Sequence, residues 1–340
     1  VTTKEQVLEI LNTIVIPEVF KTPLELNLVR DIAISDHKIG ITLARPDISE
    51  KHQEWLKSRI ESLVTELKGV ESVSVTYDLS AASKLNKIGQ VIAVMSGKGG
   101  VGKSLVSGLT AIALRRQGYS VGILDADITG PSIPKMFGLH TRPDVSEAGI
   151  MPISSGSGIK VMSLNLLLPD EDEAVIWRGP IIGKVITQFW DDVIWGELDY
   201  LIVDLPPGTA DAPLTVLQTL PVSGIIIVTS PQDLATMIVK KAVRMARTMN
   251  KPIIGVVENM SYLYVPEIDK KIELFGPSKG DEMAQAAGAP LLARLPVDTR
   301  LAQLIDQGEI ETYNNELLAR LGEAVVDALP AAAVKRRKDD

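Results

Sequence analysis

The octapeptide Gly97-Lys98-Gly99-Gly100-Val101-Gly102-Lys103-Ser104 constrains this chain more than any other stretch. It matches GxxxxGK[ST], follows the apolar run Val91-Ile92-Ala93-Val94-Met95, and precedes a helix-compatible segment from Leu105 to Gln117. A glycine-rich turn between a strand and a helix lets backbone N–H groups converge on a phosphate, with the positive end of the helix dipole behind them. In that geometry Lys103 reaches the outer phosphates and Ser104 ligates Mg²⁺. Gly97, Gly99, Gly100, Val101, Gly102 and Leu105 form the rest of the cradle. A nucleotide phosphate site is the expectation.

Bulk composition narrows the frame. At 340 residues the chain has room for about two to three domains. Its 45% hydrophobic and 23% charged residues suit a globular protein with a large core. No apolar run approaches the ~20 residues that span a bilayer. The opening Val1-Thr2-Thr3-Lys4-Glu5 has no signal-peptide apolar core, so a cytoplasmic location without membrane attachment is expected. A formal net charge of −8 argues against a nucleic-acid partner, since neutralising phosphates takes clustered Lys and Arg. The basic run Lys335-Arg336-Arg337-Lys338 reads as part of a solvated, disordered tail, 330–340. There is no cysteine. Disulfides, thiolate zinc sites, thiol nucleophiles and cysteine-ligated iron–sulfur clusters are thereby outside the reach of this chain alone. His37, His52 and His140 are too scattered for a metal-ligand spacing.

Residues 1–78 read as a small α-β-β-α-β unit. Thr3 and Gln6 have capping-box spacing, and Val7, Leu8, Ile10, Leu11 and Ile14 recur at helical intervals, predicting a helix over 4–14. Val29 to Ile34 and Ile39 to Ala44 flank Ser35-Asp36-His37-Lys38, a hairpin signal. Ser49 is placed to cap a second amphipathic helix, and Val73 to Tyr77 alternates as a third strand. Residues 79–90, small and polar in their first part, read as a linker. From 91 to 329, Val91–Met95, Ser120–Leu124, Tyr200–Val203, Ile225–Thr229 and Ile253–Val257 are continuous apolar runs between helical stretches. Strands buried on both faces predict a parallel sheet with helices on either side, an α/β domain whose ligands collect at the strands' carboxyl ends.

The chemically suggestive groups fall at such ends. Asp125-Ala126-Asp127-Ile128-Thr129-Gly130-Pro131-Ser132 offers a carboxylate pair and a loop able to change shape with nucleotide state. Asp204-Leu205-Pro206-Pro207-Gly208-Thr209 offers a Walker-B acid to hold Mg²⁺ through water and a Gly208 N–H to sense a γ-phosphate. Asn259 presents an amide for a base edge, and Pro296 to Asp298 a second wall of a base pocket. These fit ATP and leave GTP open.

The loop with its early Lys98, the stretch 125–132, Asp-Leu-Pro-Pro-Gly-Thr at 204–209 and Glu-Asn-Met-Ser at 258–261 resemble the Mrp/ApbC group. These are deviant-Walker P-loop ATPases, related to MinD and the nitrogenase iron protein, that act as iron–sulfur cluster carriers. Residues 1–78 look like the small iron–sulfur assembly domain often fused in front of them. The resemblance implies a Mg²⁺-dependent ATPase working as a homodimer around two ATP molecules. It implies that Lys98 crosses to the partner's nucleotide, that Lys103 and Ser104 serve phosphate and Mg²⁺, and that Asp127 orients the attacking water and lies with Ser104 and Asp204 around the Mg²⁺. Asp204 would be the switch acid, and Asn259 the adenine contact.

The chain departs from the group where the cluster would sit. A Cys-Pro-x-Cys motif follows Glu-Asn-Met-Ser in cluster carriers, whereas here Val265 and Ile268 flank Pro266 at those positions. The cysteine that relatives tend to carry near Ala44-Arg45-Pro46-Asp47 is missing too. One reading keeps the nucleotide switch and replaces the cluster with an apolar contact from Tyr262, Tyr264, Val265 and Ile268. A second keeps a role in iron–sulfur assembly through apo-protein clients or a cysteine-bearing partner. A third gives Glu267, Asp269 and Glu273 a hard cation, and a fourth makes the chain a MinD/ParA-like positioning switch without any cluster. That last class attaches through an amphipathic C-terminal helix, and Leu317, Leu318, Leu321, Val325, Val326 and Leu329 read instead as a core-facing helix.

Overall fold

The computed structural model describes residues 2–17, 19–26, 28–35, 37–44, 48–78, 86–127, 130, 132–146, 149–167, 179–209, 211–232 and 235–329. Of the stretches singled out above, Arg45 to Asp47, the linker residues 79–85, Ile128, Thr129, Pro131 and the tail 330–340 lie outside them. The chain divides into two compact units, Val1–Lys84 and Leu85–Asp340.

In the smaller unit, α1 (Lys4–Leu11) starts at a reciprocal capping box. Thr3 Oγ1 accepts from the Gln6 N–H, and the Gln6 side chain accepts from the Thr3 N–H. The helix stops before the predicted Ile14, where Thr13 Oγ1 turns back to donate to the Ile10 carbonyl. Strands β1 (Val29–Ser35) and β2 (Lys38–Ala44) pair antiparallel around His37, whose φ of 63° is left-handed. Helix α2 (Glu50–Thr65) carries the chain across to β3 (Ser72–Asp78), which pairs parallel to β2. No side-chain cap forms at Ser49, whose Oγ lies 2.8 Å from His52 Nδ1. Alternation decides which face is buried: Ile39, Ile41 and Leu43 of β2 meet Leu56, Ile60 and Val64 of α2 in a core of its own.

In the larger unit, β4 (Lys87–Ser96) leads into α3 (Lys103–Arg116) and β5 (Val121–Asp125), and α4 (Ile133–Met136) follows. The short strands β6 (Val145–Ser146), β7 (Gly149–Ile150), β8 (Ile153–Ser154) and β9 (Lys160–Ser163) precede α5 (Gly179–Asp192). Then come β10 (Glu197–Asp204), α6 (Asp211–Thr219), β11 (Gly224–Thr229), α7 (Ala235–Thr248) and β12 (Ile253–Glu258). A hairpin of β13 (Leu263–Val265) and β14 (Lys270–Ile272) interrupts the alternation before α8 (Gly280–Ala287), β15 (Leu291–Arg294), α9 (Thr299–Gln307) and α10 (Glu316–Ala328).

Among the described residues the large sheet runs β15-β12-β11-β4-β10-β5-β9-β8, parallel throughout except where β8 meets β9. Every residue of β5 and β11 is buried, as continuous apolar strands between two helical layers require. Helices α3 and α10 pack on one face, through Val106, Ile112, Leu318, Leu321 and Val325. Helices α5 to α8 cover the other, through Phe189, Val216, Val243 and Met283. The apolar stripe of α10 is thus core, and among the described residues no helix is long and apolar enough to cross a membrane.

Two readings shift. Strand β4 begins at Lys87, inside the segment taken as linker, because Lys87 pairs in register with Glu197 of β10 and its ammonium meets that carboxylate at 2.7 Å. Strands β8, β9 and β15 and the hairpin 263–272 were not predicted; each is too short to show a period.

Because the smaller unit has a separate core, Leu56→Ala is expected to cost about 2–5 kcal/mol there. Hydrogen exchange should rise across residues 4–78 and stay at parental rates in β4, β10 and β11.

Candidate functional site

Strand β4 sits between β10 and β11, and β5 lies beyond β10, so the chain leaves β4 at a switch point of the sheet. The carboxyl ends of β4, β10, β5 and β12 meet there. Ser96 closes β4 and donates from Oγ to the Lys98 carbonyl at 2.9 Å, starting the turn. Gly100 and Gly102 then take φ of 79° and 82°, a region that only glycine enters cheaply, and Gly102 caps α3. A Cβ built on Gly99 or Gly100 meets nothing within 4 Å, so no side chain of the described residues crowds the loop there.

Below the loop, Lys103 is buried at 5% exposure and its ammonium lies 2.8 Å from Asp204 Oδ1 and 3.5 Å from Asp127 Oδ2. Asp204 is fully buried at the end of β10, and Asp127 follows β5. The same ammonium donates to Ser104 Oγ at 3.3 Å. Lys103, Ser104, Asp127 and Asp204 therefore form one cluster. Asp204 Oδ1 also accepts from Ser107 Oγ at 2.7 Å, while Asp204 Oδ2 is buried with no hydrogen-bond partner. An orphaned carboxylate oxygen costs about 1–3 kcal/mol or more, and it fits an acid that completes its shell with metal-bound water. Among the described residues no three His, Asp or Glu are grouped to hold a metal unaided. Mg²⁺ at a phosphate takes only one or two protein oxygens, so Ser104 and Asp204 fit it.

Asp125 is the third carboxylate. It accepts from the Asp127 N–H, the Ile133 N–H and Ser163 Oγ, and so shapes the loop that carries Asp127. Burial first, and then the neighbouring Asp204 charge, hold its carboxyl well above the usual range. Ser107 and Asp125 were not singled out by the motif reading for these roles. Helical spacing is the signal for Ser107, which stands one turn beyond Lys103 on the same face of α3.

Asn259, after β12, donates from Nδ2 to the Val101 carbonyl at 3.0 Å, and the same nitrogen would lie 2.2 Å from a Cβ on Gly102. Asn259 and Pro296 line one apolar cleft of about 330 Å³, counting its open mouth, with Leu105, Leu109, Leu301, Tyr313 and Leu317. Asp298 is not part of that wall. Its Oδ1 caps α9 at the Arg300 and Leu301 N–H groups, and its Oδ2 accepts from the Tyr313 hydroxyl at 2.9 Å. The Gly208 N–H donates to the Ser96 carbonyl at 3.0 Å. Lys98 Nζ donates to Gln232 Oε1 of the same chain.

Val265 ends β13 and Ile268 lies in the 3₁₀ turn after it. Ile268 is 62% exposed, and Tyr264, Leu274 and Phe275 are exposed beside it in sequence. Asp269 accepts from the Tyr264 hydroxyl at 2.7 Å, and Lys271 stands over the Tyr262 ring. Glu267, Asp269 and Glu273 do not come together as a cation site.

Gly102→Ala should lose about 2–4 kcal/mol, because it combines a left-handed backbone with a collision against Asn259. Urea unfolding of the larger unit reads this directly, and a parental midpoint would refute the packing described for Asn259.

A family model described as NUBPL iron-transfer P-loop NTPase matches residues 87–329, and one described as iron-sulfur cluster assembly protein matches 4–76. The iron-sulfur cluster carrier protein of Clostridium perfringens is 47% identical over 66% of this chain and 82% of its own length. Its namesake in Synechocystis is 37% identical over 90% of each chain, and that of Helicobacter pylori 35% identical over 99% of this chain and 95% of its own. Among solved structures, a nucleotide-binding protein of Archaeoglobus fulgidus in complex with ADP is 44% identical, with a TM-score of 0.63 over 70% of this chain and 94% of that one. The MinC:MinD complex of Aquifex aeolicus aligns with a TM-score of 0.51 at 18% identity over 73% of this chain and 98% of that one, a likeness of fold alone. With both family models matched in order, and relatives matched along nearly their whole length, the chain belongs to the iron-transfer P-loop NTPases that carry an iron–sulfur assembly domain in front.

Proposed function

We propose that this protein is a Mg²⁺-dependent ATP hydrolase whose nucleotide state switches a homodimer serving iron–sulfur cluster assembly, with no cluster ligated by its own side chains. The observation that carries the proposal is the buried Lys103 between Asp204 and Asp127, with one Asp204 oxygen left unpartnered beneath an open glycine loop. Such a cluster is costly to bury and gains its use when phosphates enter.

Bound at Ser104 and Asp204, Mg²⁺ would neutralise charge on the outer phosphates. The Lys103 ammonium moves from the two carboxylates to those phosphates, which frees Asp127 to hold and orient a water. That water attacks the γ-phosphorus, a new P–O bond forms as the bond to the ADP oxygen breaks, the water's proton passes to a phosphate oxygen, and ADP leaves with hydrogen phosphate. Catalysis rests on placed charge and position rather than on a covalent step. Lys98 supplies a further cation from one protomer to the nucleotide of its partner, for which it leaves Gln232. The cleft lined by Asn259 and Pro296 takes the base.

The chain has no cysteine, and Val265 and Ile268 cannot ligate iron, so the exposed hairpin makes an apolar contact instead. Cluster chemistry belongs to an apo-protein client or a cysteine-bearing partner. The carrier relatives support the iron–sulfur connection, and the buried stripe of α10 disfavours a membrane-anchored positioning switch.

Lys103→Ala is expected to weaken ATP binding by about 2–5 kcal/mol, roughly 30-fold or more, in a fluorescent-nucleotide titration. Parental binding and hydrolysis in that variant would sink the site. Lys98→Ala should behave differently: monomer affinity stays, while hydrolysis falls by about 10²-fold or more. Equal losses in both would argue against a residue acting across a dimer. Anaerobic reconstitution with iron and sulfide should leave no stoichiometric cluster by absorbance and iron analysis, and a stable one would overturn the cargo assignment.

A further inference from the structure

The loop that holds Asn259 and the hairpin that displays Ile268 share one anchor. Glu258, the last residue of β12, is fully buried. Its Oε2 accepts from Ser261 Oγ at 2.5 Å and from Ser278 Oγ at 2.6 Å, and its Oε1 accepts from the Lys279 N–H at 2.7 Å. Ser261 precedes the hairpin and Ser278 follows it, so a single carboxylate closes the segment 262–275 at its base. Ser278 Oγ also accepts from Arg294 Nε at 2.8 Å, which commits its hydrogen to Glu258. Donors reach both oxygens at once, and only a carboxylate serves them all; an amide would turn an NH₂ group toward one of them.

The neighbouring residue faces the other way. Asn259 is bonded to the Val101 carbonyl and packed on Gly102, inside the glycine loop. Met260 follows with a left-handed φ of 56°, a conformation that a methionine keeps only where its surroundings impose it. From loop to hairpin the path is therefore Val101, Asn259, Glu258 and the two serines, linked by hydrogen bonds and adjacent backbone.

We propose that Glu258 is a positioning residue that couples the state of the nucleotide loop to the hairpin 262–275. Displacement of Val101 and Gly102 as phosphate enters moves Asn259, and Glu258 carries that movement to both ends of the hairpin. By linkage, a contact on the hairpin changes nucleotide affinity by the same factor. The proposal rests on the nucleotide-switch reading above.

Hydrogen exchange of peptides covering 262–275 tests it in the full chain, with and without a saturating non-hydrolysable ATP analogue, with fluorescent-ATP binding measured in parallel. The analogue should change exchange of the parental segment by about fivefold or more. Glu258→Gln should bind the analogue and lose that response. Asn259→Ala separates coupling from local structure: with the Glu258 anchor intact, its hairpin exchanges at the parental rate without nucleotide yet no longer responds at saturation. A parental hairpin indifferent to bound analogue overturns the proposal, as does a parental response in either variant. Should Glu258→Gln fail to fold by circular dichroism, Ser278→Ala removes one donor and should diminish the response, and an undiminished response would overturn the coupling equally. If the parent binds no analogue, the nucleotide reading falls and the coupling with it.

Discussion

An ammonium group with 5% of its surface exposed survives in a protein interior only where carboxylates meet it, because removing an unpaired charge from water costs several kcal/mol. Lys103 has no acid on its own segment between Gly97 and Gln117. Its partners come from Asp204 and Asp127, at the ends of two strands distant in the chain. That pairing is satisfied only with β4 beside β10 and β10 beside β5, the order the sheet adopts. As a device for stability the arrangement is poor, since well-packed apolar residues would commonly do as well, and it leaves Asp204 Oδ2 without a partner. Under the proposed function, the ammonium has the outer phosphates to go to.

The same constraint explains how much was legible. Each strand that carries chemistry is a largely apolar run with a glycine, an aspartate or an asparagine at its end or just beyond it, and both halves of that signal are local. Parallel order follows from continuous rather than alternating hydrophobicity. Asp298 stands just before the helix Thr299 to Gln307, and an aspartate there is first of all a cap, a signal that lies in the residues after it. The hydrogen bond from the Gly208 N–H to Ser96 joins distant loops, and no local pattern reveals it.

The hairpin was illegible for a different reason. Tyr264, Ile268, Ile272, Leu274 and Phe275 are all more than a third exposed, so hydrophobicity there does not report burial, and strands of three residues are too short to show a period. An apolar cluster kept in water on a hairpin fits a contact made outside the chain's own core. Its location is informative because the residues at the group's cysteine positions lie in it.

Magnitudes show why the base of that hairpin matters. A metal cluster held by thiolates would lock two protomers with strong bonds, and no residue of this chain can provide one. Fully burying a single Ile or Phe side chain contributes about 1.5–3 kcal/mol, which is the size of a typical coupling between sites, about 1–3 kcal/mol. Ile268 is 62% and Phe275 41% exposed, so covering both supplies about 1.5–3 kcal/mol, enough under the proposed coupling to bias the nucleotide loop provided little is lost to slack on the way. Glu258 removes that slack: its hydrogen bonds are short and buried, and its neighbour Asn259 is already inside the loop. Under the proposed coupling, an apolar contact serves a chain that has no cysteine to hold a cluster, because the hairpin's base and the glycine loop share the Glu258–Asn259 connection.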